Sequence, residues 1–383
     1  MPVPAIKILI NERNMAGNPV IARLWTSKNQ SARYIVRLLE QIDPEWDGKI
    51  LYTGEVYSDG GWAKVDLSSI FINRHQTAGA AAYFISLYDI NTGNEYAQTQ
   101  FLIYAGGISK ILSREALSTP NMGNIFDFKL KNVESNFLLT TRTSDFYIFI
   151  PEGELMPLYY YSQGMKFSVT YNGNVLLSRD HTTEINETIS FIDLNALRQT
   201  HAISHNRLPS EFRILNDNGW SFTIVILNSE FSRYSLKFKN SFGAYEMVSL
   251  IDDLEYKPQL DETVTKSVYD NAIYGFKNIE NRKVLTNRFV GYTLPLNIAR
   301  RMFLIDLLLS DEVYFVANNR ELRCNVKSDI DNLIRLDKYP VQLPITIELS
   351  DNESRYSPIY EQSIYNIIVE NENLSVNNSE VTV

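Results

Sequence analysis

Two histidines four residues apart, His201 and His205, are the first residues of this chain whose types and spacing could do chemistry. On a helix that spacing would set both imidazoles on one face, as in a two-ligand metal site. The surrounding Gln199-Thr-His-Ala-Ile-Ser-His-Asn-Arg-Leu-Pro209 reads as a loop, and no His-Glu-x-x-His pattern accompanies it. The expectation is surface histidines and no metal. His75 and His181 stand apart from this pair and from each other. Among 45 acids the closest pairs are Glu152 with Glu154 and Asp252 with Asp253. A glycosidase needs two carboxyls about 5–10 Å apart across a cleft, and acids this close in polar stretches read as solvated loops. Cys324 is the only cysteine, so no intrachain disulfide and no cysteine-based zinc cluster can form. It lies in an alternating strand pattern and reads as a buried structural thiol. No P-loop, dinucleotide fingerprint, nucleophile elbow or EF-hand loop occurs. We therefore expect no catalytic residues, no cofactor and no enzyme.

The aromatic residues are the other group able to do work. Trp25, Trp46, Trp62 and Trp220, with 23 tyrosines, could stack on sugars, although aromatics also fill the cores of β-sandwiches. The run Leu158-Tyr-Tyr-Tyr161 alternates too little to bury every ring. At least one of Tyr159, Tyr160 and Tyr161 should face outward, which points to an interface.

Strands must position these residues. Tyr234, Leu236 and Phe238 alternate with Ser235, Lys237 and Lys239, the period of a strand with one buried face. Asn240-Ser241-Phe242-Gly243 then breaks the pattern with residues that tolerate positive φ, and a second alternation runs from Ala244 to Leu250. This is a β-hairpin, with Phe242 either plugging a core or standing out as a knob and Tyr245 beside it. Ala81–Asp89 and Tyr96–Tyr104 form another hairpin around Asn91-Thr-Gly-Asn94. Ala63-Lys-Val-Asp-Leu-Ser-Ser-Ile70 and Ser190-Phe-Ile-Asp-Leu-Asn-Ala-Leu197 share the pattern apolar-Asp-Leu-x-x-apolar, where Asp66 or Asp193 could close a strand and cap the following turn. The echo suggests a duplicated unit.

The expected fold is mainly β: two tandem β-sandwich domains followed by a smaller α+β domain. Residues 1–118 form the first sandwich, with one or two helical turns over 108–118. A linker over 119–124 opens the second, 119–253, which ends in the Tyr234–Leu250 hairpin. Residues 254–350 form the α+β unit, with a helix over Thr293–Leu309, and 351–383 are an acidic, Asn-rich tail in which Tyr360–Val369 could add a strand.

A chain of 383 residues with 44% hydrophobic and 21% charged residues is ordinary for a globular protein, and its 19 Phe and 23 Tyr favour strands. The net charge of −9 speaks against nucleic acid as a partner. Lys7 interrupts the first apolar run, so Met1–Arg13 does not read as a signal peptide, and no stretch of about 18 apolar residues suggests membrane insertion. Folding in a cytoplasm is the expectation.

Lys239-Asn-Ser-Phe-Gly-Ala-Tyr-Glu246, set after an aromatic strand, resembles a motif of tail and other virion proteins of phages and prophages of Bacteroides-like bacteria. Ser241 departs from that motif, which has a larger residue there. Asn18-Pro19 before an apolar strand, the Gly-x-Ala-x-x-Asp-Leu-Ser unit at Gly61–Ser68, and Leu309–Tyr314 are similar to the same group. The resemblance implies a virion structural protein of the tail, tail tip or baseplate, localised in the virion after assembly in the host cytoplasm. Its partners would be copies of itself and other virion proteins. A glycan-binding surface protein of a gut bacterium, with a cell-surface glycan as partner, is the alternative. A polysaccharide depolymerase is the third reading.

Overall fold

The structure is a computed structural model. It describes residues 6–26, 32–40, 48–59, 61–75, 79–91, 93–108, 138–142, 146–162, 166–182, 189–217, 219, 221–228, 232–251, 253–263, 266–270, 272, 274–279, 282–294, 298–317, 320–328 and 342–350. The helical turns expected over 108–118, the linker over 119–124 and the tail over 351–383 lie outside these residues, apart from Ile108. The chain is mainly β, as its composition indicates, and the described residues are arranged in several sheets with no barrel among them. It divides into two compact units. One holds Met1–Phe149, Met156–Val225 and Asn240–Tyr245, the other Ile150–Leu155, Ile226–Lys239 and Glu246–Val383.

The first strands are β1 (Ile6–Leu9), β2 (Arg13–Met15), β3 (Ile21–Thr26), β4 (Ala32–Glu40), β5 (Lys49–Ser58) and β6 (Trp62–Asp66). A short helix, α1 (Ser68–Ile72), and the hairpin β7 (Ala80–Asp89) with β8 (Glu95–Tyr104) follow. One sheet has the order β1-β3-β6 and another β2-β8-β7-β4-β5, with β2 parallel to β8. Alternation explains the faces: Ala22 and Leu24 are buried in β3, whereas Ile21, Arg23 and Trp25 are exposed. A single hydrophobic cluster joins Ala22, Leu24, Ala63 and Val65 of the first sheet to Val36, Leu38, Tyr83, Ile85 and Leu87 of the second. Burying each large aliphatic side chain contributes roughly 1.5–3 kcal/mol.

The next strands are β9 (Tyr147–Pro151), β10 (Leu158–Tyr161), β11 (Lys166–Tyr171), β12 (Asn174–Asp180) and β13 (Ile189–Ile192). Helix α2 (Leu194–His205) precedes β14 (Glu211–Asn216) and β15 (Ser221–Leu227). β10 pairs with β13, and the larger sheet has the order β12-β11-β14-β15-β9. The order of the larger sheet repeats that of the first block, with β12, β11, β14, β15 and β9 in the places of β5, β4, β7, β8 and β2. A bridge from Leu138 to Tyr160 even occupies, beside β10, the place that β1 holds beside β3. The two Asp-Leu sequences fall at the same point of this plan. Asp66 accepts a hydrogen bond from the Ser68 amide at 2.9 Å and Asp193 from the Ala196 amide at 2.9 Å, each at the start of the helix. Leu67 and Leu194 are both buried.

Helix α2 replaces the loop expected around the histidines. Asp193 caps its start, and Asn206, in the left-handed region at φ 52°, ends it. Its buried stripe is Leu194, Arg198 and His201, a helical spacing concealed in the sequence because two of the three residues are polar. Arg198 donates its Nε hydrogen to the Pro209 carbonyl at 2.9 Å, which satisfies the buried guanidinium there.

The remaining strands are β16 (Tyr234–Lys239), β17 (Tyr245–Ser249), β18 (Glu255–Tyr256), β19 (Gln259–Thr263), β20 (Lys266–Asp270), β21 (Gly275–Ile279), β22 (Arg282–Thr286) and β23 (Arg288–Tyr292). Then come helix α3 (Ile298–Leu309), β24 (Val313–Ala317), β25 (Arg320–Ser328) and β26 (Pro344–Leu349). Seven of these strands form a sheet in the order β17-β16-β24-β25-β26-β23-β18. The hairpin placed by its sequence at the end of the second sandwich thus lies in a sheet with later strands, β16 pairing antiparallel with β24. Helix α3 begins at Ile298, inside the stretch expected to be helical, and buries Phe303, Leu304 and Leu307 in the cluster that holds Leu236, Phe238 and Phe315. The order β17-β16-β24-β25 again has a hairpin, then a helix, then a second hairpin, as in β5-β4-β7-β8 and β12-β11-β14-β15. Among the described residues no helix is long and apolar enough to cross a membrane.

Candidate functional site

The turn Asn240–Gly243 is held by its own amide groups. The Asn240 side-chain oxygen accepts hydrogen bonds from the Phe242 and Ala244 amides at 2.9 and 3.0 Å, and its Nδ2 donates to the Leu139 carbonyl at 3.1 Å. Gly243 adopts φ 80°, the conformation expected of it. Phe242 is buried in a cluster with Met15, Tyr104, Leu139 and Tyr161. Of its two expected roles, the structure places it as the core plug.

The tyrosine run divides by face. Tyr160 is buried and its hydroxyl lies 2.8 Å from Nε2 of buried His181. Tyr161 is buried in the Phe242 cluster, against Tyr104 at 6.1 Å between ring centres. Both therefore belong to the interior rather than to the surface interface expected of them. Their strand pleat turns Tyr160 to one packed face, and the cluster around Met15 covers Tyr161 from the other. Tyr159 and Tyr245 are half-buried. Tyr159 stands opposite Phe191 across β10 and β13, with ring centres 6.0 Å apart, and Phe191 is 56% exposed. Phe191 carries no sequence signal beyond its outward place in the alternation. The same holds for Tyr147 and Phe149, stacked at 6.1 Å on the exposed face of edge strand β9.

Trp25 and Trp62 form a second cross-strand pair, with ring centres 6.4 Å apart and planes inclined by 53°. Both indoles are substantially exposed. Trp46 and Trp220 lie outside the described residues.

The histidines are held by local partners. His201 and His205 stack face to face, 4.3 Å between centres, and their Nδ1 atoms lie 3.0 and 3.3 Å from the carbonyls of Arg207 and His201. A carbonyl only accepts, so each Nδ1 carries the proton. His75 Nε2 lies 2.7 Å from the Tyr83 hydroxyl, and burial lowers its pKa against the opposing pull of Glu40. Burial pushes the Cys324 thiol up to about 12, as suits an unreactive core thiol. Glu154 is buried and accepts a hydrogen bond from the Ser249 amide at 2.8 Å, which gives it a structural task. Asp252 lies outside the described residues. Among the described residues no group of three or more His, Cys, Asp and Glu side chains is placed to hold a metal.

No protein-family model matches the chain, and no curated protein matches it. Solved structures similar to parts of it include CBD12 from CALX1.2, at 12% identity and TM-score 0.17, covering 53% of this chain and 75% of that one. The Salmonella enterica SafA pilin in complex with the SafB chaperone gives 10% identity and TM-score 0.18, covering 58% and 96%. Trypsin-activated alpha-2-macroglobulin from Escherichia coli gives 8% and 0.19, covering 85% and 25%. At such TM-scores the likeness carries no argument.

Proposed function

We propose that the protein is a non-catalytic structural subunit of a phage particle, part of the tail, tail tip or baseplate, that binds copies of itself and other virion proteins. The observation that carries this reading is the recurrence of one strand plan, β5-β4-β7-β8-β2 and then β12-β11-β14-β15-β9, with the arrangement of its first four strands found once more in β17-β16-β24-β25. In this reading the first two blocks are β-sandwich domains, within 1–118 and 119–253, and the Tyr234–Leu250 hairpin opens a third, α+β domain. The cluster shared by the two sheets of the first block is the core such a sandwich needs. Repeated modules present similar faces at intervals along a chain, which suits a part that spans and joins neighbours. The virion resemblance of Lys239–Glu246 points to the same class.

The contact surface in this reading is the Tyr159–Phe191 pair, and the occupant is a second copy of the chain. Exposed aromatic groups of this kind are enriched in protein interfaces. Sedimentation velocity of the full chain over a range of concentrations tests it. The wild type should form a defined oligomer, and Phe191→Asp should raise the dissociation constant by at least about tenfold. Because Phe191 is exposed, the variant should keep its thermal stability within about 0.5 kcal/mol. A wild type that stays monomeric at every concentration would count against the reading.

A further inference from the structure

The outward face of the β1-β3-β6 sheet has no role in the reading above. Trp25 and Trp62 are directly opposed across β3 and β6, and so are Arg23 and Lys64. Lys7 of β1 stands opposite Trp25. Alternation sends all five side chains to the same side, and all five residues are exposed. None of the cations Lys7, Arg23 and Lys64 has a side-chain hydrogen bond or ion pair among the described residues, so all three are available to a ligand. The one acid on the face, Asp66, is already occupied by the amide and hydroxyl of Ser68, which hold its carboxyl below the usual range. The result is a cationic, indole-bearing face on a chain whose net charge is −9.

We propose that this face binds an acidic polysaccharide, with Trp25 and Trp62 packing against the C–H faces of sugar rings and Lys7, Arg23 and Lys64 pairing with carboxylates along the polymer. The scale fits. Three adjacent strands span roughly 10 Å, and residues two apart on one strand lie roughly 7 Å apart, so the face covers about two to three sugar units. Exposed indoles offer a rigid apolar plane at small entropic cost. The same features disfavour a nucleic acid. That polymer carries a charge at every phosphate and needs a long cationic track, while here three cations are interleaved with apolar surface and the remainder of the chain is acidic. A uronic-acid polymer offers saturated C–H ring faces to the indoles and carboxylates to the cations, the two chemistries that the five side chains present.

Affinity electrophoresis of the full chain, through gels containing alginate, polygalacturonate, hyaluronate, dextran or no polymer, tests the proposal. At least one polyuronate should retard the wild type, dextran should not, and added salt should weaken the retardation. Lys7→Glu/Lys64→Glu, which leaves the indole pair in place, should weaken binding by at least about tenfold, and so should Trp25→Ala/Trp62→Ala. Phe191→Ala, on a different sheet, should bind like the wild type. Circular dichroism identifies any variant that fails to fold, and the lysine pair then decides alone. The proposal fails if no polyuronate retards the chain, if dextran or oligo(dT) retards it as strongly, or if the charge-reversed variant binds unchanged. It stands on one sheet, so its failure leaves the assembly reading intact, and monomeric behaviour in sedimentation would leave this proposal intact.

Discussion

Replacing Phe242 by alanine removes the ring that fills the cluster of Met15, Tyr104, Leu139 and Tyr161. The side chain is only 6% exposed, so the variant loses nearly its full transfer energy and leaves a cavity. The turn around it is fixed by three hydrogen bonds of Asn240 and by the Gly107 amide bonding to the Ser241 carbonyl at 2.9 Å, so collapse into the hole is opposed. Phenylalanine-to-alanine changes at such sites cost about 3–5 kcal/mol, and Phe242→Leu, which keeps most of the volume, should cost less than about 1.5 kcal/mol. A chain of more than one compact unit need not unfold in a single step, so the assay should be local. Native-state hydrogen exchange at the Gly107 and Leu139 amides, bonded to Ser241 and Tyr159, reports on this cluster. Their exchange should accelerate at least about a hundredfold in Phe242→Ala, since each 1.4 kcal/mol is a factor of ten, provided they exchange by opening of this cluster. Unchanged protection together with lost self-association would refute the plug and make Phe242 a contact residue.

Gly106 adopts φ 82°, and a β-carbon there would collide with the Ser241 backbone, so Gly106→Ala should lower the melting temperature sharply and loosen the same amides. His75 provides a pH signature. Its pKa lies below the ordinary 6.5 because burial favours the neutral ring, so the unfolded chain takes up its proton first. Stability should therefore fall as pH drops through about 6.5 and level off once pH passes below the lowered folded value. The stability difference between wild type and His75→Gln, followed by denaturant titration from pH 8 to pH 5, should shift in this sense; a flat difference would remove the assignment.

What the sequence showed and what it hid have physical reasons. The alternation of Tyr234, Leu236 and Phe238 marks β16 plainly, because local period reports which face is buried. It does not report that β24 lies alongside, since that pairing is decided by contacts far apart in the chain. The Asp-Leu echo was legible as a strand end before a turn, and the structure sets it at the corresponding point of two similar strand plans, where Asp193 caps its helix and Asp66 holds the Ser68 amide just ahead of its own. Helix α2 was not legible, because Arg198 and His201 take places in its buried stripe where apolar residues would announce it. The same difficulty applies to the tyrosine run. Tyr160 and Tyr161 are consecutive, and a strand pleat alone would bury only one of them. Both are buried because packing covers this strand on both faces at its end. The indole pair was visible as two tryptophans, but their opposition, and the cations around them, exist only once β1, β3 and β6 are in register.

Quantitative mass spectrometry of gradient-purified virions from the host that carries this gene decides whether the protein is a structural part of a virus particle. The chain should co-purify with the particles at a fixed copy number per particle, in proportion to the other structural proteins through successive gradients and salt washes. A chain that remains in the cell extract, or is washed from the particles without a defined stoichiometry, would contradict it.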